Sequence, residues 1–449
     1  MSREMKNSGI PWIGEIPKEW RVCRVKDVLE NSKDGIRIGP FGSALTNKVE
    51  GVGAYKIYGQ WNIVGKDFSE GKNYISEETY KELKQYRIVS GDILISLMGT
   101  VGKCAVIPYG IQDGIMDSHV IKVRLNNRIY SKFFAYSYDK DCSSFVFGQI
   151  QRMKKGSIMD GLNSSIVKNL VLLLPPLKEQ LSITRILDKK CGEIDEMVTL
   201  QERIIEELKA YKQSVITEAV TKGLNPNVPM KDSGIEWIGK MPEDWSALKT
   251  LFVLEMPITD GPHTTPDLYE TGIPFVSAEA VSCGNGGIDF SHIRGFISKE
   301  FYDECCLKYV PQRGDVYMIK SGATTGRVSI VDTDRVFTIW SPLAVFRANR
   351  NIVLPRYLFY SIQGDYYLEQ VRVNWTFGTQ QNIGMRTLET LIIALPPLQE
   401  QQSIADYLDT KCAEIDTLIS LKQSKIEALK EYQKSIIYEY VTGKKEITI

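Results

Sequence analysis

The feature that most constrains this chain is a repeat of itself. Residues 6–20 read KNSGIPWIGEIPKEW and residues 231–245 read KDSGIEWIGKMPEDW, with nine of fifteen positions identical at an offset of 225. A longer pair sets LPPLKEQLSITRILDKKCGEIDEMVTLQERIIEELKAYKQSVITEAV (174–220) against LPPLQEQQSIADYLDTKCAEIDTLISLKQSKIEALKEYQKSIIYEYV (395–441), at an offset of 221. Between these anchors the similarity is faint but ordered: GDILISLMGTVGKCAVI (91–107) answers GDVYMIKSGATTGRVSIV (314–331), and GPFGSAL (39–45) answers GPHTTPDL (261–268). A period of about 220 residues is far too long for a solenoid of 20–50-residue repeats. A whole domain has been duplicated together with a helix.

The closely matched stretches carry helical grammar. Pro175-Pro176 and Pro396-Pro397 suit a first turn and no later position. Apolar residues then recur at spacings of three and four: Ile194, Met197, Val198, Ile204, Ile205, Leu208, Tyr211 and Val215. Their counterparts are Ile415, Leu418, Ile419, Ile426, Leu429, Tyr432 and Ile436. Gly223 and Asn225-Pro226 stop the first helix. Some 45 helical residues would span roughly 65 Å. Two near-identical stripes in one chain are expected to pack on each other as an antiparallel coiled coil, its packing residues Ile194, Met197, Ile204, Leu208, Tyr211, Val215, Ile415, Leu418, Ile426, Leu429, Tyr432 and Ile436.

The intervening stretches, about 20–173 and 246–394, have a different grammar. Short apolar runs such as AYKIYG (54–59), DILIS (92–96), HVIKVRL (119–125), DVYMI (315–319) and LAVFRA (343–348) are separated by SGD, PYG and RGD turns. Helical pieces appear at 76–86 and 356–362. The expected fold class is α+β: two tandem domains, each a mainly antiparallel sheet with short helices, separated and followed by the long helices. The boundaries fall at 1–173, 174–223, 224–394 and 395–449. Trp12, Trp20, Trp237 and Trp245 recur at matching places and read as packing anchors.

Several chemistries find no support in these residues. Eight cysteines are scattered without a CxxC pair, which fits buried free thiols in a reducing compartment. His119, His263 and His292 stand in unrelated contexts without metal-ligand spacing. MGTVGK (98–103) lacks the first glycine and the final Ser/Thr of a phosphate loop, and SGATTGR (321–327) fails likewise. No GxSxG elbow, HExxH pair or methyltransferase motif occurs. No run reaches the ~18 apolar residues of a membrane span, and the first residues carry no secretory pattern. Lys+Arg and Asp+Glu balance at 55 each, which argues against a general polyanion binder but leaves a local basic face open.

What remains suits nucleic acid. Polar and cationic side chains stand in glycine-rich turns, where a phosphate backbone approaches closely and side chains reach base edges. In the first copy these are Arg37, Gln60, Asn62, Lys103, Gln149, Arg152 and Lys154; in the second, Lys320, Thr325, Arg327, Gln380, Gln381 and Asn382. Residue types alone leave two other classes standing: a self-contained modification enzyme with an unfamiliar site, and a duplicated scaffold that binds only protein.

The combination resembles the specificity subunit of Type I restriction–modification systems. The resemblance rests on SGIPWIGEIPKEW and SGIEWIGKMPEDW opening each half, and on LPPLKEQLSI and LPPLQEQQSI leading into the long helices. GDILISLMGTVGK and FGTQQNI (377–383) resemble the family's recognition domains, and the match runs through the chain in order, twice. It implies two target recognition domains related by approximate twofold symmetry. Each would read one half of an asymmetric, two-part DNA target in the major groove, with the helices setting the spacing. Such half-sites lie about one DNA turn, or ten base pairs, apart. The resemblance implies a non-catalytic, cytoplasmic subunit that binds double-stranded DNA, two methyltransferase subunits and, where present, restriction/translocase subunits. It needs no cofactor of its own; S-adenosylmethionine, ATP and magnesium would be bound by partner subunits. GSIMDGLN (156–163) stands where the second copy has GTQQNIG (378–384), so the two domains are expected to read different sequences.

Overall fold

The computed structural model describes residues 3–31, 34–45, 49, 51–69, 71–139, 144–154, 162–377 and 381–447. The chain divides into two compact units, one of residues 1–202 and 424–449, the other of residues 203–423. Each unit therefore holds one sheet domain and part of both long helices.

In the first unit, the opening motif makes a hairpin of Met5–Asn7 against Glu15–Pro17 and ends on Trp20, which is fully buried. Arg21–Arg24 then pairs antiparallel with Val171–Leu174, the strand that precedes the two prolines. The two duplicated motifs thus become neighbours: Trp20 Nε1 donates to Glu179 Oε2 at 3.0 Å. Between them lies a four-stranded antiparallel sheet in the order Ile36–Ile38, Val120–Val123, Ile93–Ser96, Cys104–Val106. A smaller sheet joins Tyr74–Ile75, Tyr55–Tyr58 and Gly114–Met116, the last two in parallel. Every residue of Ile93–Ser96 and Val120–Val123 is buried, so both faces of these strands are covered. Even Lys122 is enclosed; its Nζ donates to the Arg87 carbonyl at 2.9 Å, and burial pulls its pKa down.

The second unit repeats this plan. Lys240–Pro242 pairs with Met230–Asp232, and Ser246–Lys249 with Ile392–Leu395. The four-stranded sheet runs Thr259–Asp260, Leu343–Phe346, Val316–Ile319, Val328–Ile330. Ile273–Val276 pairs in parallel with Thr338–Ile339, as its counterpart does in the first copy. Here the helices and the sheet domain share one core: Val215, Ala219, Ile404 and Leu408 pack with Trp245, Tyr357 and Tyr366. Thr376–Phe377 also pairs with Gln381–Asn382.

The long helices run Leu177–Lys222 and Leu398–Val441. Both follow their two prolines directly, and Gly223 closes the first with a left-handed φ of 75°. The half-buried or buried positions 191, 194, 198, 201, 205, 208, 212, 215 and 219 alternate steps of three and four, the spacing of a coiled-coil seam. Their equivalents in the second helix, from Cys412 to Tyr440, are covered in the same way. The pairing is antiparallel in each unit. Gln433 Nε2 donates to Asp195 Oδ1 at 2.9 Å in one, and Lys212 Nζ meets Asp416 at 2.7 Å in the other.

Among the expected packing residues, Ile194, Val215, Ile415, Ile426 and Ile436 are buried and Ile204, Leu208 and Leu429 half-buried. Met197, Tyr211, Leu418 and Tyr432 are not seam residues: they are 47%, 51%, 46% and 55% exposed. The stripe read from the sequence is wider than the narrow strip two helices bury against each other, and these four fall one step outside it. The tryptophans also divide. Trp20 and Trp245 are core anchors, whereas Trp12 and Trp237 lie in the opening hairpin turns at 41% and 37% exposure.

Candidate nucleic-acid interface

Each four-stranded sheet ends in loops that converge at one edge. In the second copy the Lys320 N–H donates to the Pro342 carbonyl (2.8 Å), Gly322 N–H to Gln381 (3.0 Å) and Ile383 N–H to Lys320 (2.9 Å). In the first, Leu97 N–H donates to His119 (3.0 Å) and Leu162 N–H to Leu97 (3.1 Å). The backbone bonds at these positions recur in both copies. Gly99 and Gly102, like Gly322 and Gly326, take φ between 65° and 103°, a conformation that side-chain-bearing residues rarely adopt. Gly39 and Gly261 are tighter still, because a Cβ would stand 1.7 Å from the Asp117 carbonyl oxygen and 2.1 Å from that of Ile339.

This edge gathers part of the residue set read from the sequence. Lys320, Thr325, Arg327, Gln381 and Asn382 meet in the second copy; Thr325 Oγ1 closes its own turn on Gly322, and Arg327 Nη1 donates to the Ser282 carbonyl at 3.0 Å. Gln380 lies outside the described residues. In the first copy Gln60 and Lys103 flank one turn. Gln60 Nε2 donates to Met98 O (2.8 Å) and Thr100 Oγ1 (2.7 Å), and the Lys103 N–H donates to the Thr100 carbonyl. Arg37, on the edge strand, donates to Gln85 Oε1 at 3.0 Å and lies over the Tyr86 ring.

Two other expected residues, Asn62 and Gln149, are taken up by backbone groups. Asn62 is fully buried, accepting from the Gly59 N–H and donating to the Asp67 carbonyl. Gln149 is 6% exposed and bonds both backbone groups of Val171. Gln370 does the same to Ile392 in the second copy, which marks the role as structural. Both glutamines brace the strand leading to the long helix, away from the loops. Arg152 belongs to that same helix, Ser144–Lys154, and its guanidinium lies 4.4 Å from the Trp12 ring centroid. Lys154 ends it.

The opposite end of each domain carries an anchor that the sequence motif hinted at but did not explain. In LPPLKEQ and LPPLQEQ the Glu takes the tryptophan N–H and the Gln inserts into the sheet domain. Gln180 accepts from Tyr130 N–H (2.7 Å) and donates to Arg128 and Pro175 carbonyls (3.0 and 2.9 Å). Gln401 treats Leu354, Ile352 and Pro396 alike. Asp188 holds Lys132 and Tyr136, as Asp409 holds Arg356 and Tyr360. Below the loops, Asp92 takes two bonds from Arg124 at 2.7 and 2.8 Å, and Asp315 takes two from Arg347 at 2.8 Å. The aspartate of each GD turn and the arginine after HVIKV and LAVF could have been paired from the repeat alone. Among the described residues no cluster of His, Cys, Asp or Glu could hold a metal ion, and no helix is long and apolar enough to cross a membrane.

Two loop-bearing sheet domains, each bolted to a long helix by the same three contacts, define an internally duplicated protein. The model of the Type I restriction modification DNA specificity domain matches residues 17–210 and 262–431, and the chain belongs to that family. It is 26% identical over 440 residues to the putative type I restriction enzyme MjaX specificity subunit of Methanocaldococcus jannaschii, covering 96% of this chain and 95% of that one. The EcoBI specificity subunit of Escherichia coli is 23% identical over 343 residues, 74% of this chain and 69% of its own. A solved chain from a study of complex assembly and conformational transition of the type I R-M system shares the fold, with a TM-score of 0.67, 19% identity and coverage of 95% and 98%. The protein is a Type I specificity subunit, a non-catalytic component of such an enzyme.

Proposed function

We propose that each sheet domain reads one half of an asymmetric, two-part DNA target in the major groove, and that the paired helices set the distance between halves. The observation that carries this reading is the repeated anchor. Trp20–Glu179 and Trp245–Glu400, with Gln180 and Gln401, fix two loop clusters of different composition to the helices in one and the same manner. An equal frame with unequal loops suits two recognition events of one kind on two sequences.

The exposed helix residues support docking of methyltransferase subunits. Met197 and Leu418, and Leu200 and Leu421, are equivalent pairs, all at least 46% exposed. The same apolar set presented twice fits two copies of one partner. Restriction/translocase subunits would join such an assembly where they are made. In this reading S-adenosylmethionine, ATP and magnesium are held by the partners, and the complex works in the cytoplasm.

The test is a matched insertion of four residues after Leu200 and after Leu421, one helical turn or about 6 Å in each helix. Methylome sequencing of a host carrying this variant should show both half-sites unchanged and the unread gap longer by about two base pairs. An unchanged gap sinks the spacer reading. Changed half-sites would sink the assignment of readout to the sheet domains.

A further inference from the structure

The loop edge of the second sheet domain buries one carboxylate, Asp260, at 1% exposure. Three basic side chains close on it. Lys308 Nζ donates to Oδ1 and stands 3.5 Å from the Gly261 carbonyl. Lys320 Nζ and His263 Nε2 lie 3.3 and 3.2 Å from Oδ2. That oxygen is buried, yet it accepts no well-aligned hydrogen bond from any described residue.

The backbone identifies the same four positions in the first copy. Asp260 pairs with Ala344 as Ile38 pairs with Ile121. The Lys320 and Leu97 N–H groups donate to equivalent carbonyls, Pro342 and His119. Gly261-Pro262-His263 answers Gly39-Pro40-Phe41, and Lys308 precedes Asp315 by the same interval as Gln85 precedes Asp92. The first copy thus holds Ile38, Gln85, Leu97 and Phe41, all uncharged, where the second holds Asp260, Lys308, Lys320 and His263. Gln85 is bonded by Arg37 from the edge strand.

Neutralising a buried carboxylate does not need this much positive charge. Asp315 and Asp92 in the same sheets are each paired with one guanidinium, their remaining bonds coming from neutral groups. Asp260 gathers two ammonium groups and an imidazole, so at least one positive charge is left over. Lys320 keeps its side chain at 12% exposure, and among the described residues Asp260 is the one carboxylate within 4.0 Å of either ammonium. One carboxylate balances one of the two ammonium charges, and an anion seated beside them would balance the other. Beside Lys308 a cavity of about 170 Å³ opens, lined in part by Asp260, Gly261, Pro262 and Thr264, with Glu304 also on its wall; Lys320 and His263 stand outside this lining, on the other oxygen of Asp260. Compact ammonium charges suit a phosphate oxygen, whereas bidentate recognition of a base edge favours a planar donor pair such as arginine's.

We infer that Lys308, Lys320 and His263, held on Asp260, form a phosphate-binding cluster by which the second sheet domain grips the DNA backbone, and that the first domain has no counterpart of it. This rests on the DNA-reading function proposed above. Asp260 is the positioning residue: it fixes two flexible lysines before DNA arrives, which lowers the ordering cost of binding.

The test uses the complete chain with its methyltransferase partner and a duplex carrying its two-part target. K308Q/K320Q should weaken binding about tenfold or more at moderate salt. The slope of log affinity against log salt should fall by about one per phosphate lost. The loss should be equal for every base sequence placed in the second half-site. D260N adds positive charge, so simple attraction would tighten binding, whereas loss of positioning weakens it. Neutral methylphosphonates placed singly along the second half-site probe wild-type protein without a folding question. One position should reproduce the K308Q/K320Q loss and add nothing to it in that variant. An unchanged salt slope, a loss confined to one base pair, tighter binding by D260N, or full additivity at every methylphosphonate would each overturn the cluster. If the wild-type complex itself shows no sequence-selective, salt-dependent binding, the DNA-reading proposal fails instead.

Discussion

Within each sheet domain, the end that meets the long helix and the end that carries the loops have diverged to different degrees. At the helix end the contacts repeat bond for bond: tryptophan on Glu179 or Glu400, glutamine 180 or 401 on three backbone groups, Asp188 or Asp409 on a cation and a tyrosine. At the loop end the backbone repeats but the side chains do not, and the positions of the cluster around Asp260 correspond in the first copy to Ile38, Gln85, Leu97 and Phe41. The difference has a physical cause. The anchor is held by side chains, so changing one breaks it. What the loops share between the copies is glycines and main-chain bonds, while the side-chain bonds at this end differ from copy to copy, so the side chains can change without loss of the common backbone path.

The strongest way to break this contrast is at the anchor. Gln180 and Gln401 are fully buried, and each satisfies three main-chain groups. Gln180→Ala and Gln401→Ala leave those groups without partners and should each cost about 3 kcal/mol. Urea unfolding of the two variants should give closely similar losses, since the contacts are equivalent. A loss under ~1 kcal/mol in either would show that the anchor is not what holds helix to sheet.

The repeat made the frame legible because its residues are tied to side-chain contacts. Trp20, Trp245, Glu179, Glu400, Gln180 and Gln401 all lie in the two matched motifs, and their identities could be read directly. The seam of the helices was legible only in part, since Met197 and Tyr211 share the three-and-four spacing with Ile194 and Val198 but lie one step off it. The loop residues were the least legible. Asn62 and Gln149 have the same chemistry as base-reading residues, and only the fold shows that their amides are consumed by backbone groups. Asp260 and Lys308 passed unremarked because they are 48 residues apart in the chain and meet only in the folded sheet.

One anchor contact is unequal, and it sharpens the comparison at a smaller scale. Glu179 is paired with Arg3 at 2.5 and 2.8 Å as well as with Trp20, and that pairing raises the arginine's pKa. Glu400 has Trp245 but no such arginine in contact among the described residues, and burial pushes its carboxyl pKa upward. A raised carboxyl contributes stability that is complete below its ordinary value of 4.5 and is lost as pH rises through the raised value. Glu179→Gln should therefore destabilise the chain at neutral pH by about 1–2 kcal/mol. Glu400→Gln should raise stability there by less than about 1 kcal/mol, and should flatten the fall in stability above pH 4.5. Thermal melts of both variants between pH 4 and 7 decide the matter, and equal destabilisation by the two would refute the asymmetry.

The smallest effect on the fold is expected on the outer face of the helices, where the proposed partner contact should still be sensitive. Met197 and Leu418 occupy equivalent positions and are 47% and 46% exposed, so Met197→Ser and Leu418→Ser should change stability by no more than about 0.5 kcal/mol. Each substitution nevertheless removes apolar area from one of two matching surfaces. In native mass spectrometry with the methyltransferase partner, either single variant should retain one copy of the partner and lose the other, and the double variant should lose both. If both single variants still bind two copies with wild-type affinity, the outer face is not the docking surface. If a variant unfolds instead, Met197 or Leu418 belongs to the seam after all. The exposed stripe and the buried seam are thus separated by two different readouts on neighbouring residues of the same helix.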